Sequence, residues 1–171
     1  MQPKDTIGYW LSSAMRSFGS AFFEILEAHC VERGKSYVIT PPQWGVMAFI
    51  FANGEQTVST LAQQIGVDAP AITAIIRRLE QSRLVERVHS RVDRRLVKVY
   101  LTAEGQDIIR SLEPVVAAFN ERIVPREQQQ ALFEQLQQLI VKVETFAPGA
   151  RSRFALFKTH TDQKDQEHED E

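Results

Sequence analysis

Residues 58–101 read VSTLAQQIGVDAPAITAIIRRLEQSRLVERVHSRVDRRLVKVYL, and this stretch decides the fold. Apolar residues in its first part recur at three- and four-residue spacings, which predicts two short helices over about 58–65 and 69–82. Gly66 lies at the turn between them, and Asp68 is a good N-cap for the second helix. A helix, a tight turn and a second helix form the helix-turn-helix pattern.

The second part of the stretch predicts a β-hairpin. Residues 84–89 and 96–101 have the pattern of short strands, the second rich in valine, and SRVDRR at 90–95 suits the tip between them. A hairpin that directly follows a helix-turn-helix is a wing. The predicted fold class is therefore mostly α with a small β-hairpin wing, that is, a winged helix-turn-helix lobe.

Amphipathic helices are predicted on both sides of this lobe. Their apolar stripes lie over about 5–31, after Thr40 as far as the turn at Asn53, and over about 103–124 and 126–146. Thr40 and Thr102 are suitable N-caps for the helices that follow them. The lobe is thus flanked by long helices with apolar faces of their own.

The flanking helices predict a homodimer. The lobe, at about 55–101, needs only about half of the chain for its core, so the helices at about 5–31 and 103–147 would keep uncovered apolar stripes in a monomer. A second copy would bury these stripes and place the two copies of the second helix, the recognition helix of a helix-turn-helix, roughly 34 Å apart. We expect one domain over residues 1–157 and an acidic, disordered tail over 158–171.

The charge distribution favours a polyanionic partner. The formal net charge is −2, but the segment from Arg77 to Lys98 has eight basic and three acidic residues, a net charge of +5. The segment from Lys158 to Glu171 has two basic and six acidic residues, a net charge of −4. The positive charge is concentrated on the predicted second helix and wing, where DNA could meet it.

The first turns of the second helix are candidates for base contacts, because this part of a helix-turn-helix enters the major groove. Small side chains let the helix lie deep, and an alanine or threonine methyl can contact a thymine methyl. Arginines one turn later can reach phosphate or guanine, although a solvated helix face is the alternative. The candidates are Asp68, Ala69, Pro70, Ala71, Thr73, Arg77 and Arg78.

The predicted wing tip adds a second set of DNA-binding candidates. These are Arg91, Asp93, Arg94 and Arg95. Arginines are attracted to narrow minor grooves by their negative potential. Asp93 can orient a neighbouring guanidinium, that of Arg95, by a charge-assisted hydrogen bond, although an aspartate is also common in ordinary turns.

Three segments together resemble the MarR family of bacterial transcriptional regulators. They are TPPQWGVMAFI at 40–50, LAQQIGVDAPAITAIIRRLEQSRLVER at 61–87 and DRRLVKVYLTAEG at 93–105. The resemblance implies a MarR-type domain that forms a cytoplasmic homodimer and binds a short palindromic operator in double-stranded DNA, most often as a repressor. It also implies that a small phenolic or other aromatic effector, or an oxidant, weakens DNA binding.

Arg83 departs from the family's usual pattern, which has glycine at this position before the first wing strand. Glycine would end the preceding helix in a left-handed conformation. Arg83 must either adopt that conformation at a cost of about 1 kcal/mol or end the helix differently.

The resemblance places an effector pocket between the first two helices and the winged lobe. Its candidate residues are Trp10, Phe18, Tyr37, Trp44 and Met47, for which core or dimer packing is the alternative. Cys30 raises the hypothesis of a redox-responsive regulator, but a packing role is favoured because free cysteines are often buried. The four histidines and Cys30 lack zinc-ligand spacing, so neither a metal nor a cofactor is predicted.

Other function classes fit less well. A winged helix that serves protein assembly, without sequence-specific DNA contacts, is the main alternative. We find no nucleotide-binding loop, nucleophile motif or HExxH sequence, so an enzyme is not predicted. No apolar run approaches a membrane span, and the N-terminal residues do not resemble a secretory signal, which predicts a cytoplasmic protein.

Overall fold

A computed structural model describes residues 2–89 and 97–146 of the chain. Over these residues a short 3-10 helix, Pro3–Asp5, precedes six α-helices and three strands. The helices are α1 (Ile7–Glu32), α2 (Pro41–Asn53), α3 (Val58–Ile65), α4 (Ala69–Gln81), α5 (Ala103–Ile123) and α6 (Arg126–Phe146). The strands are β1 (Gln56–Thr57), β2 (Val85–His89) and β3 (Val97–Leu101). None of the helices in the described part is long and apolar enough to span a membrane.

The predicted fold class is confirmed, with one additional strand. The three strands form an antiparallel sheet in the order β1-β3-β2, and β2 pairs with β3 from Val85–Leu101 to His89–Val97. The strand β1 was not predicted, because two residues are too few to show the alternation that reveals a strand. The strand joins the start of α3 to the wing, where Gln56 pairs with Val99.

Local capping explains where the helices of the lobe begin and end. The Thr57 hydroxyl accepts a hydrogen bond from the Thr60 amide at the start of α3, and Asp68 caps α4 in the same way. Gly66 ends α3 in the left-handed region, with a φ of 75°, which a residue without a Cβ adopts at little cost. These signals are local, and for this reason the predicted bounds of α3 and α4 agree with the structure to within one residue.

A single apolar core joins the lobe to the helices around it. The lobe contributes fully or almost fully buried side chains from α3, α4 and the sheet, and the second half of α1, α2 and the first half of α5 pack against the same cluster. The largest fully buried side chains are Leu26, Ile39, Met47, Leu61, Ile72, Ile76, Leu79, Leu84, Ile108 and Leu112. The winged lobe is therefore held on the same core as α1, α2 and α5.

The start of α5 lies directly on the join between α4 and β2. Thr102 donates its amide to the Leu84 carbonyl at 3.1 Å and its hydroxyl to the Arg83 carbonyl at 2.7 Å, while the same hydroxyl oxygen caps α5 at Gly105. A Cβ on Gly105 would overlap the Leu84 carbonyl oxygen. The Leu-Thr-x-x-Gly pattern at residues 101–105 thus has a physical basis, because only glycine lets α5 come this close to the Leu84 carbonyl.

Apolar exposure is concentrated in α6 and in the first half of α1. No side chain of α6 is buried among those that the structure describes, and Leu136 and Ile140, one turn apart, are each 40 % exposed. In α1, Trp10 is 61 % and Met15 75 % exposed, whereas Phe22 is buried. These two segments carry apolar faces that the other described residues leave uncovered.

Candidate nucleic-acid interface

The solvent-facing side of α4 gathers the residues predicted to contact bases. Ile72, Ile76 and Leu79 bury the opposite side of the helix in the core. Asp68, Ala69, Pro70 and Ala71 are exposed at its start, Thr73 is half-buried, and Arg77 and Arg78 are exposed further along. The structure thus brings all seven candidates of this helix onto one accessible surface, which we call the α4 face.

The two polar side chains near the start of α4 bond to the helix itself. Asp68 accepts the Ala71 amide on its Oδ1 at 2.8 Å, and the Thr73 hydroxyl donates to the Ala69 carbonyl at 2.8 Å. Asp68 therefore acts as the N-cap, which also places its negative charge at the positive end of the helix dipole. Thr73 keeps its methyl group, but not its hydroxyl proton, for an outside partner.

Arg77 and Arg78 differ from most other basic residues near the lobe in their pairing. Arg87 forms an ion pair with Glu80 at 2.6 Å, and Lys98 forms one with Glu55. Neither the Arg77 nor the Arg78 side chain has a hydrogen bond or ion pair within the described ranges. Within the described part of the chain, both guanidinium groups are therefore free to bind an anion or a base edge.

Sequence reasoning missed Ala74 as a member of the α4 face. Ala74 is exposed, and it lies three residues after Ala71 and four before Arg78. Residues at these spacings are neighbours on one side of a helix. Extending the helical spacing by one turn from Ala71 would have found it.

The wing tip remains a prediction. Arg91, Asp93, Arg94 and Arg95 lie outside the described residues, and so does the proposed pairing of Asp93 with Arg95. The base of the wing is described, and there the ion pair from Arg87 on β2 to Glu80 on α4 ties the strand to the recognition helix.

Arg83 adopts the left-handed conformation, the first of the two alternatives that the sequence left open. Its φ is 59°, and it is the one non-glycine residue with positive φ among those described. Leu84 then donates its amide to the Leu79 carbonyl at 2.9 Å, which closes α4 as a glycine would. The side chain of Arg83 is exposed.

The five effector candidates do not form one group. Phe18 and Trp44 both contact Phe22, with ring centroids 5.5 and 5.1 Å from it, and Phe119 of α5 lies 5.4 Å from Phe18. We call these four rings the aromatic cluster. Phe22 and Phe119 were absent from the prediction, because the stripes of α1 and α5 do not reveal which helices pair.

The other three candidates have different surroundings. Met47 is fully buried in the core. The Trp10 indole donates to the Lys4 carbonyl at 2.9 Å, and Trp10 precedes Phe18 by eight residues, about 12 Å along the helix. The Tyr37 hydroxyl donates to Glu104 at 2.6 Å, and burial, followed by this hydrogen bond, raises the pKa of Tyr37.

A polar network connects the segment after α1 to the first turns of α5. Arg33 pairs with Asp107 at 2.8 Å, and Lys35 pairs with Glu104 at 2.7 Å. The hydrogen bond from Lys35, and then that from Tyr37, lowers the pKa of Glu104. The sequence did not predict this network, because its partners are about 70 residues apart.

Cys30 has the environment of a packing residue. Its side chain is fully buried, and burial raises the pKa of its thiol, so the thiol stays protonated near neutral pH. Within the ranges that the structure describes, no group of three or more His, Cys, Asp or Glu side chains could hold a metal ion.

Comparison with known proteins identifies the family. The sequence model of the MarR family matches residues 39–97. The transcriptional regulator FarR of Neisseria gonorrhoeae is 32 % identical over 109 residues, which are 62 % of this chain and 74 % of FarR.

Two solved structures share the fold. The PcaV transcriptional regulator of Streptomyces coelicolor, in complex with its natural ligand, has a TM-score of 0.71 at 18 % identity and covers 84 % of this chain and 98 % of its own. The transcriptional repressor CouR, bound to a 23-mer DNA duplex, has a TM-score of 0.69 at 23 % identity and covers 80 % of this chain and 94 % of its own. Family and relatives form a non-enzymatic class, and the chain belongs to the MarR family of winged-helix, DNA-binding transcriptional regulators.

Proposed function

We propose that this protein is a homodimeric repressor that binds a palindromic operator and releases it when a small aromatic ligand binds. The observation that carries the proposal is the α4 face, on which small side chains precede two arginines without an ion-pair partner in the described chain. The similar repressor CouR has been solved with a DNA duplex, which supports the assignment.

The predicted contacts other than Thr73 each have a defined role in this proposal. Asp68 holds the start of α4 in shape, and Ala69, Pro70 and Ala71 lie against the base edges. Arg77 and Arg78 bind phosphate or guanine. The wing arginines Arg91, Arg94 and Arg95, with Asp93 as the orienting carboxylate, enter the adjacent minor groove.

A second copy of the chain would cover the faces that one protomer leaves exposed. Leu136 and Ile140 lie on one side of α6, and Trp10 and Met15 are exposed on α1. A two-fold interface made by these helices is self-complementary, because the same surface of both copies takes part in it. The α1 and α6 faces of one copy would then pack against the α1 and α6 faces of the other. The same axis would relate the two α4 faces and explain a palindromic site.

The aromatic cluster is the candidate effector site. Phe18 is 46 % exposed beside the buried Phe22, and Trp44 is half-buried. The cluster has edge-to-face contacts between Phe22 and Trp44 and between Phe18 and Phe119, and an aromatic ligand could add a further ring to them. The cluster joins α1, α2 and α5, so a ligand there could move the lobe relative to the helices that pair the protomers. PcaV, which has the same fold, was solved with its natural ligand.

Selection of bound sequences from a random DNA pool tests the DNA-binding part. We expect enrichment of a palindrome whose half-sites are about one helical turn apart. Arg77→Ala should weaken binding to it roughly tenfold or more. Arg110→Ala, on α5, removes the same charge from a residue that lies over the Phe51 ring, and serves as the matched control. Failure to enrich any sequence would favour the protein-assembly alternative.

Titration of the selected complex with a panel of small aromatic acids tests the effector part. A ligand at the aromatic cluster should release DNA from the wild type. Release of DNA from the Phe18→Ala variant should require a higher concentration of the same ligand. If no aromatic acid weakens the complex, the effector proposal is wrong while the DNA-binding proposal stands.

A further inference from the structure

We infer that α4 reads its operator mainly through thymine methyl groups, and that Arg77 and Arg78 supply most of its hydrogen-bonded readout. The inference rests on the proposed function, because it describes how the same helix distinguishes one DNA sequence from another. It follows from the bonding of the polar side chains at the start of α4.

The usual hydrogen-bonded base contacts are depleted at this end of the helix. A bidentate contact to adenine needs Asn or Gln, and one to guanine needs Arg or Lys, but the first two turns of α4 contain none of these. Thr73 has committed its hydroxyl proton to the Ala69 carbonyl, and Asp68 has committed one oxygen to the Ala71 amide. The Thr73 hydroxyl proton and one Asp68 oxygen are therefore used in bonds to the helix backbone and are not available to a base edge.

What this part of α4 does present is apolar. Pro70, Ala71 and Ala74 are exposed and have no side-chain donor or acceptor. The Thr73 methyl remains after its hydroxyl has turned to the backbone. Among major-groove edges, the C5-methyl of thymine is the group that such a surface can favour. Cytosine, which lacks this methyl, would leave the same surface without a partner.

The arginines set the other end of the half-site. Arg77 and Arg78 follow Ala74 by three and four residues, and both lack a partner within the described chain. Either can bind guanine O6 and N7 or a phosphate. The half-site is thus expected to have thymines opposite the first two turns of α4, followed by a guanine or a phosphate contact.

Replacement of single thymines by deoxyuridine tests the inference, because it removes the methyl and keeps every hydrogen-bonding group. The full-length protein is titrated with its selected palindrome and with versions that contain one uracil at each position. Uracil at a contacted thymine should weaken binding about fourfold, and about 15-fold when both half-sites are changed. Uracil outside the palindrome is the control.

A pair of Thr73 variants distinguishes methyl from hydroxyl. Thr73→Val keeps a methyl and removes the hydroxyl, whereas Thr73→Ser does the reverse. We expect the Val variant to bind the palindrome about fourfold more tightly than the Ser variant. Equal thermal midpoints would show that both variants are folded to the same extent.

The outcomes separate this inference from the proposed function. A palindrome that is selected but is insensitive to uracil, or that binds the Ser variant more tightly than the Val variant, overturns methyl readout and leaves the repressor proposal intact. If no sequence is enriched, both fail together.

Discussion

Arg83 is a residue in a conformation that its side chain disfavours. With a φ of 59° it closes α4, and its carbonyl accepts the Thr102 hydroxyl. This conformation costs about 1 kcal/mol. The cost is tolerated because two hydrogen bonds need this backbone path, one from the Leu84 amide to the Leu79 carbonyl and one from the Thr102 hydroxyl to the Arg83 carbonyl. The family's usual glycine would provide the same path without strain.

Substituting Arg83→Gly should therefore stabilise the protein by about 0.5–1 kcal/mol. Urea unfolding at a fixed protomer concentration measures the free energy. Ser82→Gly is the matched control, because Ser82 has a φ of −84° and gains nothing from glycine, so that variant should lose stability. If Arg83→Gly lowered the free energy of unfolding as much as Ser82→Gly does, the backbone of Arg83 would not be strained.

Gly105 has the opposite relation to its site, since here any side chain is excluded. Gly105→Ala should destabilise the protein by about 1–3 kcal/mol, because the new methyl overlaps the Leu84 carbonyl and forces α5 away from the sheet. Gly45→Ala in α2 is the comparison, since a Cβ there meets no described atom within 4 Å apart from its chain neighbours and the backbone of its own helix. Equal unfolding free energies for the two variants would show that the approach is not tight.

Elements whose signals are local were predictable from the sequence. The helices α3, α4 and α6 begin at the predicted residues, because caps such as Thr57 and Asp68 and the turn at Gly66 act within a few residues. The strand β1 was not predictable, since it exists through pairing with β3, about 40 residues further along. The bounds of these helices could therefore be predicted from local chemistry, whereas the pairing of distant strands could not.

The α4 face was mostly predictable for the same reason, whereas the aromatic cluster was not. One helix and its spacing define the α4 face, apart from Ala74. The cluster needs three helices in contact, so the sequence supplied Phe18 and Trp44 without Phe22 and Phe119. The spacing of residues within one helix does not show which other helices pack against it, so contacts between helices could not be predicted in this way.

The network at the start of α5 makes the attachment of one element depend on pH. The pKa of Glu104 is lowered in the folded protein, so its ionised form adds stability above the ordinary glutamate pKa. That contribution is lost as the pH falls through the lowered value. It should stay below about 1 kcal/mol, because the Glu104 side chain is 41 % exposed.

Glu104→Gln should lower the unfolding free energy at neutral pH, and its difference from the wild type should shrink on acidification. Urea unfolding at several pH values measures both effects. Glu113→Gln, on the exposed side of the same helix, is the control and should not show this pattern. A difference that is constant with pH would exclude the ion pair as its source.

At the scale of the whole molecule, the exposed faces of α1 and α6 predict assembly. Leu136→Glu should produce a monomeric or partly unfolded protein, because it places a charge in the proposed interface. Sedimentation at micromolar concentration measures the mass. Gln137→Glu adds the same charge at the adjacent position and should retain the wild-type mass. A Leu136→Glu protein that keeps this mass would move the interface elsewhere.

The uncovered face of α6 also has a consequence for how such regulators diverge. In a self-complementary interface one substitution changes both sides at once, so its effect is counted twice in a pair of identical chains. After a gene duplication, one charge on this helix would favour or disfavour each pairing differently. If α6 forms the proposed interface, this helix, which has no fully buried side chain among those described, is the place where sister proteins can cease to exchange subunits while their α4 helices stay unchanged.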